Sequence, residues 1–459
     1  MRPLGFINPK GLFFCFIMIF MQNRFIRIWA IPVSILLLIG VYYIPPVHSR
    51  LAWRLEWMRT EIKYFINPPE EAVFQPQQQS PWDIASTQMV QTKAAQTPET
   101  TATPIPSSTV RPTITATALP AAVMLQGVKY EQQHGRRNYC GPANFSMALT
   151  YWGWDGDRDV IGKVVMPINE KDKNVMPYEL QDYITDNVPG MTSIIRNGGD
   201  IETLKRLVSA GFPVVVEIGV YEVDLNGKKS WLGHYGFVTG YDDASQMIVY
   251  QDSYQPEPAT NPGPNRKISY EKLIQRWRAF NFVFIVVYPV EKQNDVLTLL
   301  GPLADEEQAN RHALEVARIE SETLTDVDEY FAWFNAGTSH VALFEYADAA
   351  IAYDYAFNLY ANLEVDSSIR PYRMMWFQTG PYKAYYYTNR FADVTDLADT
   401  TLNDTIAEPL LEESLYWRGM AYYMAGETDL AVKDYRAALK VHPKWIPATQ
   451  ALQDLGIQP

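Results

Sequence analysis

Two of the 459 residues are cysteines, Cys15 and Cys140, and Cys140 stands where a thiol can become a nucleophile. The run Tyr139-Cys140-Gly141-Pro142-Ala143-Asn144-Phe145-Ser146-Met147-Ala148-Leu149-Thr150-Tyr151-Trp152-Gly153 predicts a helix with proline near its first turn and glycine after its end. Its apolar face is expected to be Phe145, Ala148, Leu149 and Trp152. Cys140 then lies at the helix N-terminus, where unpaired N–H groups favour a thiolate. Further along, His234–Tyr241 and Met247–Tyr254 are alternating β-branched and aromatic runs separated by Asp242-Asp243-Ala244-Ser245, a hairpin signal. A turn centred near residue 243 makes His234 and Asp252 cross-strand neighbours, with Cβ atoms about 5 Å apart. An imidazole held by a carboxylate is fixed in tautomer and orientation, which a base that activates a thiol requires. Each residue alone has a plainer reading, a small buried cysteine and a hydrogen-bonded strand histidine, and only tertiary folding can unite the three.

Taken together, CGPANFSMAL at Cys140–Leu149, the W-x-GHY run at Trp231–Tyr235, GYDD at Gly240–Asp243, QDSY at Gln251–Tyr254 and WRAFN at Trp277–Asn281 resemble the C39-like cysteine peptidases, members of the papain-like fold. The resemblance covers about 165 residues and keeps the family order of Cys, then His, then Asp. It implies an α+β domain in which Cys140 is the nucleophile, His234 the general base and then acid, and Asp252 the residue that orients His234. A glutamine upstream of the cysteine helps to form the family's oxyanion hole. Gln133, seven residues before Cys140 and beside Gln132, is the candidate here, although the family spacing is five or six. The expected chemistry is hydrolysis of a peptide bond through a thioester, with no cofactor. Transglutaminase-like acyl transfer uses the same residue order, and a peptide-binding module that keeps the triad without turnover is the alternative outside enzymes. Trp277 and Phe280 read as core, Asp242 and Asp243 as turn residues, and Asp172-Lys173-Asn174 as a border of the cleft. No His/Cys/carboxylate cluster has metal-ligand spacing, so no metal is expected.

The rest of the chain must carry and position this domain. Its net charge of −13 argues against nucleic-acid binding through phosphate neutralisation. Residues 1–64 are basic, with eight Lys/Arg against two acidic side chains, whereas 304–459 carry 11 basic against 25 acidic. Residues 28–44 are uncharged and apolar, just long enough to cross a bilayer, and are expected to form an uncleaved signal-anchor. Val47-His48-Ser49 is a poor cleavage site, and Met21 is a possible functional start. Residues 65–120 are a linker whose composition collapses to Thr, Pro, Ala, Ser and Gln from about 86, too poor in apolar surface to order itself. Such a stalk fits a cell-membrane protein, single-pass, with its soluble part outside the cytoplasm. The peptidase domain is assigned to 121–300 and an all-α domain to 301–459, where Gly337/Ala349, Gly380/Ala392 and Gly419/Ala431 recur. A small residue on each of two helices permits close crossing, once per helical hairpin. The last of these units, with Tyr422, Tyr435, Ala438 and Pro443, resembles a tetratricopeptide repeat, and the middle one is degenerate. The resemblance implies a protein partner for the repeats, or a structural role in covering one side of the peptidase domain.

Overall fold

Runs of β-branched residues build the centre of the molecule. The computed structural model describes residues 73–77 and 118–459, apart from 137, 169–170, 172–173, 224–228, 255–262, 405 and 407–409, together with scattered positions between 32 and 66. Strands β1 (Ala122–Met124), β2 (Met191–Arg196), β3 (Val214–Val223), β4 (Lys229–Asp242), β5 (Met247–Gln251), β6 (Arg266–Ser269) and β7 (Phe284–Pro289) form one antiparallel sheet in the order β2-β7-β3-β4-β5-β6. The long β4 is shared: β3 pairs with Lys229–Val238, and β1 pairs with Gly240–Asp242. Alternation along the strands gives the sheet two apolar faces. Val215, Ile285 and Val287 meet α1 (Cys140–Tyr151), α2 (Arg158–Val165) and α3 (Pro177–Asn187) on one side. Val214, Val216, Phe284 and Val286 meet α4 (Ile201–Ser209), α5 (Tyr270–Arg278) and α6 (Gln293–Leu300) on the other.

Helix α1 begins at Cys140, as its sequence predicts, and ends where Gly153 takes a φ of +90°. That left-handed residue turns the chain so that the Trp154 N–H reaches the Leu149 carbonyl at 3.2 Å. The expected single apolar face is a poor description, however. Every residue from Gly141 to Leu149 is buried, because α1 runs between the sheet and the α2–α3 layer, and Trp152 is only half-buried.

From Glu306 the chain is helical: α7 (Glu306–Thr323), α8 (Asp326–Ala342), α9 (Tyr346–Ala361), α10 (Gly380–Tyr387), α11 (Phe391–Asp399), α12 (Glu412–Met424), α13 (Thr428–Val441) and α14 (Ile446–Asp454). Two of the three Gly/Ala pairs do what their spacing predicts. A Cβ on Gly337 would lie 2.6 Å from the fully buried Tyr353 ring, and one on Gly419 would lie 2.7 Å from Tyr435, so the α8/α9 and α12/α13 hairpins close only over glycine. The middle pair departs from the pattern. Gly380 opens the short α10 against the Tyr353 hydroxyl of the preceding hairpin, and Ala392 is exposed.

The helices pack directly on the sheet region. Trp231 on β4 is fully buried, stacked on Phe280 at 5.8 Å and met by Phe331 and Phe377 from the helical region. After α5, Asn281 and Phe282 adopt φ values of 50° and 53°. The turn is held from α8, where Asn335 Oδ1 accepts from the Asn281 N–H at 3.1 Å, and Ser339 Oγ accepts from Asn281 Nδ2 at 2.9 Å. Trp277 and Phe280 are core residues, in line with their reading. Residues 73–77, inside the expected linker, also dock here. Phe74 is buried edge-on against Phe357 at 5.0 Å, and the Gln77 N–H donates to Asp393 Oδ1 at 2.8 Å.

Residues 78–117, most of the Thr/Pro-rich stretch, lie outside the described residues, as do Met21 and Val47-His48-Ser49. Of the apolar stretch 28–44, residues 32–34, 36 and 39–43 are described. No helix among the described residues is long and apolar enough to cross a membrane.

Candidate active site

The hairpin that carries His234 differs in register from its sequence expectation. Asp242 pairs with Met247 and Gly240 with Val249, then Val238 pairs with Tyr250 after a bulge at Thr239. The turn is longer than expected because Asp242 Oδ1 accepts from the Ala244 and Ser245 N–H groups, and Gln246 takes a φ of 54°. The β4–β5 ladder ends at Phe237 and Gln251, short of His234, whose cross-strand partner is Ile218 of β3 on the other side. Asp252 lies just beyond the end of β5 and reaches the imidazole side-on, with Oδ1 2.8 Å from His234 Nε2. The contact expected from the residue types is present, by a different backbone route.

Asp252 is almost fully buried and anchored on both oxygens. Oδ1 also accepts from the Tyr254 N–H at 3.0 Å, and Oδ2 accepts from Arg266 on β6. Burial would raise this carboxyl, but the charge and hydrogen bond of His234, with Arg266, hold it below the usual carboxylate range. The other side of the imidazole hydrogen-bonds Cys140. Burial alone would push the Cys140 thiol up. The His234 hydrogen bond and charge, with the Tyr235 and Gly141 backbone N–H groups, overcome burial and bring it below its ordinary 9.0. Burial would likewise lower His234, yet the Asp252 charge and hydrogen bond, helped by Cys140, push it up to about 10. Opposite shifts on these two partners favour a thiolate–imidazolium pair.

Four further residues shape the site. Asn144, one helical turn after Cys140, donates through Nδ2 to the Cys140 carbonyl at 2.8 Å, the Tyr235 carbonyl at 3.0 Å and Ser253 Oγ at 3.2 Å. Helix α1 is thereby tied to both the histidine strand and the aspartate loop. Ser253 Oγ donates in turn to Gln133 Oε1 at 2.9 Å, and the Gln133 N–H donates to the Ser253 carbonyl at 2.8 Å. The upstream glutamine is thus fixed beside the aspartate loop. Glu217, facing Tyr235 across β3 and β4, is buried, and burial with the nearby Cys140 charge raises its carboxyl well above the usual range. Of the cleft-border tripeptide, Asp172 and Lys173 lie outside the described residues. Asn174 donates to the Trp376 carbonyl at 2.5 Å, a contact with the helical region. Asn144 was not singled out from the sequence, although its place one helical turn after Cys140 was a signal that could have found it. Arg266 and Glu217 carried no sequence signal, because each arrives through strand pairing.

Residues 125–285 match the Peptidase_C39 like family, and residues 412–445 match the tetratricopeptide repeat. By that match the first stretch is a C39-like cysteine peptidase domain, and the second is a tetratricopeptide repeat, made here by α12 and α13. Among solved structures, a chain described as a C39-like peptidase from Bacillus anthracis is 19% identical with a TM-score of 0.28, covering 36% of this chain and 97% of its own. Xylellain, a cysteine protease from Xylella fastidiosa, is 15% identical with a TM-score of 0.29, covering 38% of this chain and 87% of its own. No curated protein matches the chain.

Proposed function

We propose that this protein hydrolyses peptide bonds through Cys140, His234 and Asp252. The observation that carries the proposal is the continuous chain from the thiol through the imidazole to a carboxylate anchored by Arg266 and the Tyr254 N–H. The Cys140 thiolate attacks the amide carbonyl carbon, and the carbonyl π electrons move to oxygen. The resulting oxyanion lies at the N-terminus of α1, where the Cys140 N–H, with Gln133, is assigned to stabilise it. His234 gives its proton to the amine nitrogen as the C–N bond breaks, leaving a thioester. His234 then takes a proton from water, whose oxygen attacks the thioester, and Cys140 leaves as thiolate with release of the carboxylic acid. Asp252 keeps the His234 proton on Nε2 in the resting tautomer, so that Nδ1 serves the thiol.

The test uses the full chain, since Trp231 and the Asn281 turn depend on the helical region for their burial and hydrogen bonds. A thiol-directed peptidase probe should label the protein, and Cys140→Ala should abolish both labelling and peptide hydrolysis. Peptide binding that persists in Cys140→Ala, with no hydrolysis by the parent, would identify a silent binding module. Amine incorporation in place of hydrolysis would identify an acyl transferase. The same proposal places the N-terminal segment in the cell membrane, with the catalytic domain outside the cytoplasm. It rests on the apolar run at 28–44 and the Thr/Pro-rich stretch after it. Protection of the domain from protease added to intact cells would overturn that placement. The repeats are assigned to binding a protein partner.

A further inference from the structure

Where α3 of the peptidase domain meets the last repeat, three carboxylates are buried together: Glu179 on α3 and Glu412 and Glu413 on α12. His442, at the end of α13, joins them from the repeat side, its Nδ1 3.5 Å from Glu179 Oε1 and 3.4 Å from Glu412 Oε1. Among the described residues no lysine or arginine pairs with any of the three acids. Taking several carboxylates out of water costs several kcal/mol each unless something neutralises them. Glu179 shows the deficit atom by atom. Its Oε2 is held by the Met176 N–H at 2.8 Å, whereas Oε1, in a residue 8% exposed, accepts no hydrogen bond.

We propose that Glu179, Glu412 and His442 bind a divalent transition cation of the zinc or manganese class that fastens the peptidase domain to the last repeat. Their three ligand atoms lie within 4.8 Å of one another. Two ligands at about 2.1 Å from one metal, at the tetrahedral angle, are about 3.4 Å apart. Both His442 distances meet that requirement as they stand. One imidazole nitrogen with carboxylate oxygens suits zinc or manganese better than calcium or magnesium, which prefer all-oxygen shells. Two carboxylates also balance a doubly charged ion, and the Met176 N–H is the outer hydrogen bond that orients a ligating carboxylate. Glu413 stays beside the trio, accepting from the Tyr178 hydroxyl at 3.2 Å. The proposal is independent of the catalytic reading.

The experiment is calorimetric titration of chelator-treated full chain with Zn2+, Mn2+ and Ca2+, paired with thermal melts. The expected result is one equivalent of Zn2+ or Mn2+ bound, with affinity at least about tenfold weaker in E412Q and H442A, and unchanged in H340A. That last variant removes a more exposed His340/Glu345/Asp348 cluster and reports adventitious binding. The melts supply a second readout. Without metal, E412Q should match or exceed the parent in melting temperature, because it removes a buried charge, and with metal the order should reverse. Absence of stoichiometric binding, equal binding in E412Q, loss of binding in H340A alone, or E412Q remaining the more stable protein in both conditions would overturn the proposal. The last outcome would mean that protons alone neutralise the cluster.

Discussion

Replacing Asp252 by asparagine tests how the imidazole is held. The carboxylate uses its two oxygens on two sets of donors, Oδ1 on His234 Nε2 and the Tyr254 N–H, Oδ2 on Arg266. An amide has only one oxygen. Facing His234 with it sets the amide N–H2 against the Arg266 guanidinium, donor to donor in a buried site. Facing Arg266 with it points the N–H2 at His234 Nε2, and the ring must then carry its proton on Nδ1, the nitrogen that serves Cys140. Either way the negative charge is lost. The rise of His234 from 6.5 to about 10 corresponds to about 5 kcal/mol in favour of the imidazolium. Asp252 is the largest influence raising it, so D252N should forfeit most of that preference. The peptidase kcat/KM should fall on the order of 10⁴-fold, as for the equivalent swap in a serine triad, and thiolate absorbance should appear only at higher pH. Removing the competing donor separates the two causes. In D252N/R266A the amide oxygen can face His234 without penalty, and relief of a buried donor clash is worth about 1–3 kcal/mol. The double variant should therefore regain about tenfold over D252N. If R266A instead lowers the activity of D252N further, the two-sided clamp is not what orients the histidine.

Other expectations follow from the same contacts. With Cys140 below 9.0 and His234 at about 10, the ion pair exists between the two, so the alkaline limb of kcat/KM against pH should fall near 10. Glu217, raised above 4.5 in the fold, holds a proton that the unfolded chain releases. Stability should thus fall as pH rises above 4.5, and denaturant melts of E217Q should lack that component. G337A and G419A force a Cβ into a buried tyrosine ring. Overpacking costs about 1–3 kcal/mol against about 1 kcal/mol of helix propensity gained, so thermal melts should show net destabilisation. Arg390 forks onto Asp354 at 2.7 and 3.0 Å and onto Asp393 at 2.7 Å. R390A takes the cation from two buried carboxylates that keep neutral donors, the Tyr385 hydroxyl on Asp354 and the Gln77 N–H on Asp393, and should cost about 3 kcal/mol in chemical denaturation.

What could be read from the sequence was whatever is local. Proline near the start and glycine after the end delimit α1, the His and Asp of the hairpin meet, and two of three Gly/Ala spacings close helix pairs. The register failed because the Asx-stabilised turn, which closes on Asp242 and Met247, is longer than alternation reveals, and the bulge at Thr239 takes back only part of that shift. The middle Gly/Ala pair failed because Gly380 accommodates Tyr353 of another hairpin, a long-range fit that mimics a repeat. Arg266, Glu217 and the Glu179/Glu412/His442 cluster were invisible because their partners lie on other strands or in the other domain. Spacing rules for metal ligands see one segment at a time, and this cluster draws on three.

Burial of Phe74 among the repeat helices means that the chain is attached to the folded body at both ends of the Thr/Pro-rich stretch, through side-chain packing at 74 and the sheet at 122. Cleavage anywhere between those points would leave the two fragments bound to each other. Separation of the two fragments would then require the docked segment around Phe74 to dissociate. Weakening that segment, as in F74A, would turn a nick into a release.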